Sequence, residues 1–223
     1  THELNRGSLL SKKWTGIHFM AYRATANTEQ RKQQVHAAIL KAGKALVSEQ
    51  GFRALSINAV AERAGIAAGT LYRYFDSKTA LCVAIFQHAT EREIQQTLAA
   101  AQTGRTTTER LRNALTTFAE RALQNPALAY ALIAEPVEPE LDQARLDYRA
   151  AWAGAFAALI REGVRKGEFY RQPEYLSAAA MVGAMAEALI TPGMAHTSTR
   201  QRNQQIRQAV LFCLRAVAIQ AGE

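Results

Sequence analysis

Arg73 stands between two tyrosines, Tyr72 and Tyr74, directly behind the small-residue run Ala68-Gly69-Thr70. A guanidinium donates in a planar fork that matches a guanine edge or a phosphate. Threonine and tyrosine side chains suit phosphate oxygens or thymine methyl groups. Small residues ahead of such a group let the backbone come close to its partner. The chemistry on offer is recognition of a polyanion, not bond-making. The five histidines, His2, His18, His36, His88 and His196, are scattered. No glutamate–x–x–histidine pattern, glycine-rich phosphate loop or nucleophile elbow accompanies them, so a helical-bundle enzyme is the weaker alternative and neither a metal nor a cofactor is expected. Cys82 and Cys213 lie far apart and form no CxxC pair, which argues against a zinc site or disulfide framework and fits a reducing cytoplasm.

The charge is placed where such chemistry would need it. The chain has 223 residues and a formal net charge of +8. Basic side chains outnumber acidic ones four to one in residues 1–28 and eight to four in 29–78, but only fifteen to fourteen in 79–223. An excess confined to the first third is the footprint of a module that meets a polyanion, although a basic tail that aids solubility gives the same count. The most apolar stretch, Tyr175 to Ile190, is sixteen residues long and includes Glu187. A bilayer span needs about 20 apolar residues, so this reads as a buried helix. Residues 1–28 lack a continuous apolar region, against a secretory signal, and read as a flexible basic arm. Met20-Ala21 has the form of a translation start, which would make residues 1–19 an upstream extension.

The elements that must position Arg73 follow from helical spacing, which runs through the chain without useful β alternation. A first helix is expected from an N-cap at Thr28 to Gln50, its apolar face formed by Val35, Ile39, Ala42 and Leu46, with Gly51 as the stop. Ser56 caps a short helix burying Ile57, Val60, Ala61 and Ala64, and Gly65 ends it. A second short helix, AAGTLYRYF, turns Leu71 and Phe75 inward and leaves Ala68, Gly69, Thr70, Tyr72, Arg73 and Tyr74 outward. Two such short helices are stable only when packed across the first, giving a three-helix helix-turn-helix unit over residues 29–78. Packing alone produces the same shape, so periodicity leaves DNA binding and a structural role both open. Residues 79–223 are expected to form a separate helical domain. Its helices fall at 78–101 (Leu81, Ile85, Ala89, Leu98), 107–124, 126–134, 140–166, 173–191 and 199–220, with Thr103–Thr108 as the one linker candidate. The fold class is all-α with nine helices.

GTLYRYFDSKTAL, preceded by AVAERAGIAA, resembles the DNA-binding domain of the TetR family of bacterial transcriptional regulators. The matching features are Gly51-Phe52, the Ala61–Gly65–Ile66 turn, Gly69-Thr70-Leu71-Tyr72, Phe75 and the Ser77-Lys78 start of the next helix, a connected set over about 50 residues. The resemblance implies a dimeric regulator whose C-terminal domain binds a small molecule. Carried over by position, DNA contacts fall on Ser56, Asn58, Ala68, Gly69, Thr70, Tyr72, Arg73, Tyr74 and Lys78. Ala67 and Ala68 depart from the serine, proline or lysine common there, which weakens the case for phosphate contacts at those two positions. The function implied is a repressor released from a palindromic operator by its ligand; an activator or ligand-independent regulator carries the same motif.

For the remainder, the alanine-rich helix at 173–191 and the last helix (Ile206, Val210, Leu214, Val217) have apolar surface enough to pair with a second copy as a four-helix bundle, while burial within one chain is the competing account. Phe118, Tyr130, Trp152, Phe156, Met181 and Met185 are candidate pocket residues for a small apolar or aromatic effector, and such a stripe also serves as plain core. Glu135 and Glu187 are possible polar contacts, with solvation at a helix edge as the simpler account.

Overall fold

The computed structural model describes residues 26–190 and 198–219. Residues 1–25 of the arm expected over 1–28, Pro192-Gly193 and the last four residues lie outside them, while residues 26–28 open the first helix rather than belonging to the arm. Nine helices are present among the described residues: α1 (Ala26–Gln50), α2 (Ile57–Arg63), α3 (Ala68–Leu71), α4 (Lys78–Ala101), α5 (Thr107–Gln124), α6 (Pro126–Ile133), α7 (Pro139–Arg165), α8 (Glu174–Leu189) and α9 (Thr199–Arg215). The fold is all-α. Extended pairing among these residues is limited to one bridge between Phe169 and Ala218. None of the described helices is long and apolar enough to cross a membrane.

Local chemistry sets the boundaries. Ser56 and Ser77 accept from the backbone N–H groups of Ala59 and Ala80, capping α2 and α4. Thr106 and Glu109 form a reciprocal capping box on α5, as Ser198 and Gln201 do on α9. Asn125 caps α6 ahead of Pro126 at its first position. Thr28, expected as the first cap, instead lies inside the opening turn of α1. Two other expectations shift at helix ends. The last helix stops at Arg215 rather than 220, because residues 216–218 turn to bring Ala218 beside Phe169. Thr103–Thr108 is a tight turn and not a linker: Arg110 donates to the Ala101 carbonyl and doubly to Glu162, while Glu168 accepts from the N–H groups of Thr107 and Thr108.

Two buried clusters organise the molecule. One gathers α5, α7, α8 and α9 around Leu111, Leu115, Trp152, Phe156, Ile160, Met181, Met185, Ile206 and Val210. The other lies beneath α1–α3 and includes Ile39, Val47, Phe52, Leu55, Val60, Leu71 and Phe75. It also takes in Leu81, Ile85 and Phe86 of α4, Leu128 and Ala131 of α6, and Leu141 and Ala144 of α7. The head is therefore packed on α4, α6 and α7 through a continuous apolar contact. In α4 the inward register at its far end falls to Thr97, which is fully buried, and not to the expected Leu98. Cys82 and Cys213 are buried and unpaired, and burial pushes each thiol up to about 11.

Gly51 holds the corner between α1 and α2. Its φ is +77°, and a Cβ there would sit 2.6 Å from a Glu135 carboxylate oxygen. Gly65 has φ +69° but nothing within 4 Å of such a Cβ. The pair separates backbone strain from steric conflict. Gly65→Ala should cost about 1–2 kcal/mol of unfolding free energy, the left-handed penalty alone. Gly51→Ala should cost measurably more in the same urea titration; equal losses would show that the Glu135 contact is dispensable.

Candidate nucleic-acid interface and ligand pocket

The outward surface of the head is built by α2, the one-turn α3 and the turn that follows. Helix α3 is shorter than the nine residues expected: after Leu71 the chain continues through tighter turns, Arg73 N–H donating to the Thr70 carbonyl and Tyr74 N–H to that of Leu71. A single turn carries little macrodipole, so recognition there rests on side chains. Leu71 and Phe75 are buried beneath it. Among the sequence candidates, Ser56, Asn58, Gly69, Tyr72, Arg73 and Lys78 are exposed, Tyr72 to 54%. Ala68, Thr70 and Tyr74 are only half-exposed. Ala68 and Tyr74 pack against the head core, and the Tyr74 ring centroid is 6.3 Å from that of His36, so these two are not the fully outward side chains expected. His36 also stacks on Phe75 at 5.4 Å, fixing the turn to α1. The Ser56 hydroxyl is already engaged as a cap.

Ion pairing sorts the basic residues of the head. Arg63 reaches Glu49 through two hydrogen bonds of 2.8 and 2.9 Å and braces α2 on α1. That bond holds the Glu49 carboxyl below its usual pKa. Lys32 and Lys44 also have carboxylate partners. Among the described residues, Arg31 and Lys41 of α1 have none, nor have Arg53, Arg73 and Lys78, and the last three flank the α2–α3 surface.

Behind the head lies an internal cavity of about 250 Å³ between α4, α5, α6, α7 and α8. Phe118, Trp152, Phe156 and Met185 line it, the first two edge to face at 5.0 Å. Tyr130 and Met181 do not. Tyr130 sits on the solvent side of α6, and Met181 points into the core one turn before Met185. Glu187 is exposed and outside the lining. The sequence reading missed the polar part of the wall: Thr90, Glu93 and Thr97 of α4, Arg121 of α5, Arg145, Tyr148 and Arg149 of α7, and Lys44 of α1. A signal was available. Phe86, Thr90, Glu93, Thr97 and Ala101 step by four, three, four and four, as do Leu141, Arg145, Tyr148, Trp152 and Phe156; polar residues in the register of an apolar stripe mark an internal site.

Glu135, expected at most as a ligand contact or a solvated edge, is neither. It is buried, and its two carboxylate oxygens accept from the N–H groups of Phe52 and Arg53 at 2.9 and 3.1 Å. Its own carbonyl accepts from Arg145 at 2.9 Å, and Arg145 also donates to the carbonyls of Leu132 and Ala131. Burial lowers the Arg145 pKa, an effect that Asp142 opposes by an ion pair at 2.9 Å. Arg145, a wall residue of the cavity, is thus two hydrogen bonds from the backbone corner joining α1 to α2.

Residues 39–85 match the family model of the bacterial regulatory proteins of the tetR family. The head matches the DNA-binding domain of that family. The HTH-type transcriptional repressor KstR of Mycolicibacterium smegmatis is 43% identical over 108 residues, 48% of this chain and 50% of that protein. The chain thus spans about half or less of the length of the KstR relatives it matches. Beyond the head the likeness is of fold. A putative TetR-family transcriptional regulator from Rhodococcus sp. superposes with a TM-score of 0.69 at 24% identity, over 81% of this chain and 99% of that one. FadR of Bacillus subtilis, solved in complex with stearoyl-CoA, superposes with a TM-score of 0.67 at 20% identity, over 78% and 97%.

Removing the Glu135 side chain would strand the buried Phe52 N–H. Glu135→Ala should lower the unfolding free energy by about 1–3 kcal/mol. It should also speed hydrogen exchange at the Phe52 and Arg53 amides ahead of the α7–α9 amides. Unchanged exchange at Phe52 would mean that the bracket does not hold the corner.

Proposed function

We propose that this protein is a ligand-responsive transcriptional regulator, a homodimeric repressor that reads a palindromic operator and releases it when a small molecule fills the internal cavity. The observation that carries the reading is the exposed, unpaired Arg73 beside Tyr72, held on a TetR-family head. Arg73 reads a base edge or grips a phosphate; Asn58, Gly69 and Thr70 meet bases or backbone; Ser56, Tyr72 and Lys78 meet phosphates; Ala68 and Tyr74, half-buried, serve mainly to seat the turn. The family to which the head belongs consists of regulators and not enzymes, which agrees with the absence of catalytic patterns in the sequence.

Dimerisation is supported by apolar surface left open on the last two helices: Leu176 of α8 is 67% exposed and Phe212 of α9 64%, with Tyr175 and Leu211 beside them. Exposed aromatic and aliphatic residues in one region mark an interface. Pairing of α8 and α9 with their copies would set two heads about 34–36 Å apart, one turn of duplex. Phe212→Glu should convert the dimer to monomer in sedimentation velocity and abolish stable operator binding. A variant that stays dimeric would move the interface elsewhere.

Effector control works through differential affinity: a ligand shifts the head only as far as it prefers one arrangement of α4, α6 and α7 over the other. The stearoyl-CoA complex of FadR, which shares the fold, supports this use of the cavity. Gel shift against the intergenic DNA beside the protein's own gene tests the central claim. Wild-type protein should retard a specific fragment at moderate salt. Arg73→Ala should weaken that complex by about 1–3 kcal/mol and relax sequence preference if Arg73 reads a base. Lys78→Ala should weaken all sequences alike and reduce the salt slope by about one. No retardation of any duplex would overturn the reading.

A further inference from the structure

The cavity wall has two features that a purely apolar ligand leaves unanswered. Four cations line it, Lys44, Arg121, Arg145 and Arg149, against the single carboxylate of Glu93. Glu93 is shared by Arg121 and Lys44 across α5 and α1. Arg145 is taken by Asp142 and three carbonyls. Arg149 has no carboxylate among the described residues; its hydrogen bond to the Ile133 carbonyl is long, at 3.3 Å. The second feature is in α4, where the hydroxyls of Thr90 and Thr97 are buried without a hydrogen-bond partner although Thr90 is 7% exposed and Thr97 0%. Both threonines line the cavity. An unpaired buried hydroxyl is destabilising, so two on one face of one helix are a standing cost unless something binds them.

Their positions give the ligand a direction. Helices α4 and α7 run parallel: Phe86 meets Tyr148 edge to face at one end, and at the other Arg110 ties the Ala101 carbonyl to Glu162. Tyr148 donates to Glu91, placing Thr90 at the Arg145–Arg149 end. Thr97 lies two turns farther, about 10 Å along the helix at 1.5 Å per residue, toward Phe118, Phe156 and Met185. We infer that the cavity takes an elongated apolar acid, its anionic group held by Arg149 with the Thr90 hydroxyl and a second, hydrogen-bonding oxygen carried on the shaft within reach of Thr97. The inference rests on the reading of this cavity as the effector site and names the effector's chemical class.

Calorimetric titration of the full-length dimer with decanoate, decanol, decylamine and ω-hydroxydecanoate tests it. Decanoate should bind at least about tenfold more tightly than decanol, the worth of one charge-assisted hydrogen bond, and decylamine most weakly. Arg149→Gln should erase the preference of acid over alcohol and leave decanol binding unchanged. The ω-hydroxyl should improve affinity over decanoate, and Thr97→Val should remove that gain while raising Tm, since it replaces an unpartnered hydroxyl by a methyl group. Equal binding of acid, alcohol and amine, binding insensitive to Arg149→Gln, or no binding of any probe by protein that still retards DNA would overturn the assignment. If the acid binds with these dependences but leaves DNA retardation unchanged, the ligand class stands and the effector reading fails.

Discussion

The molecule turns on how two backbone N–H groups are satisfied where α1 gives way to α2. A helix end leaves orphan donors and acceptors, and the usual remedy is a local cap. Here Gly51 bends the chain into the left-handed region, and the N–H groups of Phe52 and Arg53 then face the interior, beyond reach of any neighbour in sequence. The carboxylate that answers them, Glu135, lies more than eighty residues away. Burying that charge is tolerable because both oxygens are bonded, and its main chain is gripped by Arg145, which also satisfies the carbonyl end of α6. One buried acid and one buried base thus fasten the head to α6 and α7: removing the Glu135 carboxylate would strand the Phe52 N–H, and removing the Arg145 guanidinium would strand the carbonyls of Ala131, Leu132 and Glu135.

This fastening gives the head and the cavity a shared set of bonds. Arg145 spans both: its guanidinium lines the cavity and its donors hold the segment that carries Glu135. A second connection runs through Glu93, which joins Lys44 on α1 to Arg121 on α5 across the same cavity. An anion held by Arg149 and Thr90, as proposed, would change the field around Arg145, one turn away on α7. Charge-paired networks in a low-dielectric setting respond strongly to one added charge, whereas the apolar contact of the head with α6 and α7 responds only to shape. The proposed acidic effector would therefore act on the head electrostatically, through Arg145 and the segment that carries Glu135, and the apolar shaft would supply affinity rather than coupling.

What could be read in the sequence divides along the same line between local and distant interactions. Seven of the helices were foreseen to within a residue or two at each end, because serine, threonine and asparagine caps, positive-φ glycines and four–three spacing act over a few residues. Gly51 announced the end of α1, but nothing near it announced Glu135. The failures have distant causes. The length of α9 was overestimated because Ala218 leaves the helix to meet Phe169, and α3 because the chain after Leu71 must turn to seat Phe75 beneath His36. Arg145 and the threonines of α4 stood in plain view within apolar stripes; without the facing helices there was no means to tell a buried polar site from a helix edge. Tyr130 and Met181 were misplaced for the same reason, since aromatic and thioether side chains are equally at home on a surface, in a core or in a cavity wall.

The positions at which local rules are broken also mark where function is proposed. Head and body satisfy nearly every buried donor and acceptor, and the unpartnered buried hydroxyls of the described residues belong to threonines, two of them in the cavity wall. Valine has nearly the shape of threonine and would remove the cost at once, so a sequence selected only for stability has an easy escape at residues 90 and 97. Keeping hydroxyls there is sensible when the cavity spends part of its time filled, because the partner missing from the empty state is then supplied by the occupant. Arg63, Arg110, Arg121 and Arg145 are paired closely, while Arg149 and Arg73 share the lack of a carboxylate with Arg31, Lys41 and Arg53; what singles them out is their place, Arg149 at the cavity edge and Arg73 beside Tyr72 on the head surface. A proposed polar site in the cavity wall and a proposed contact surface on the head, joined by a network of paired polar groups, suit a two-site regulator.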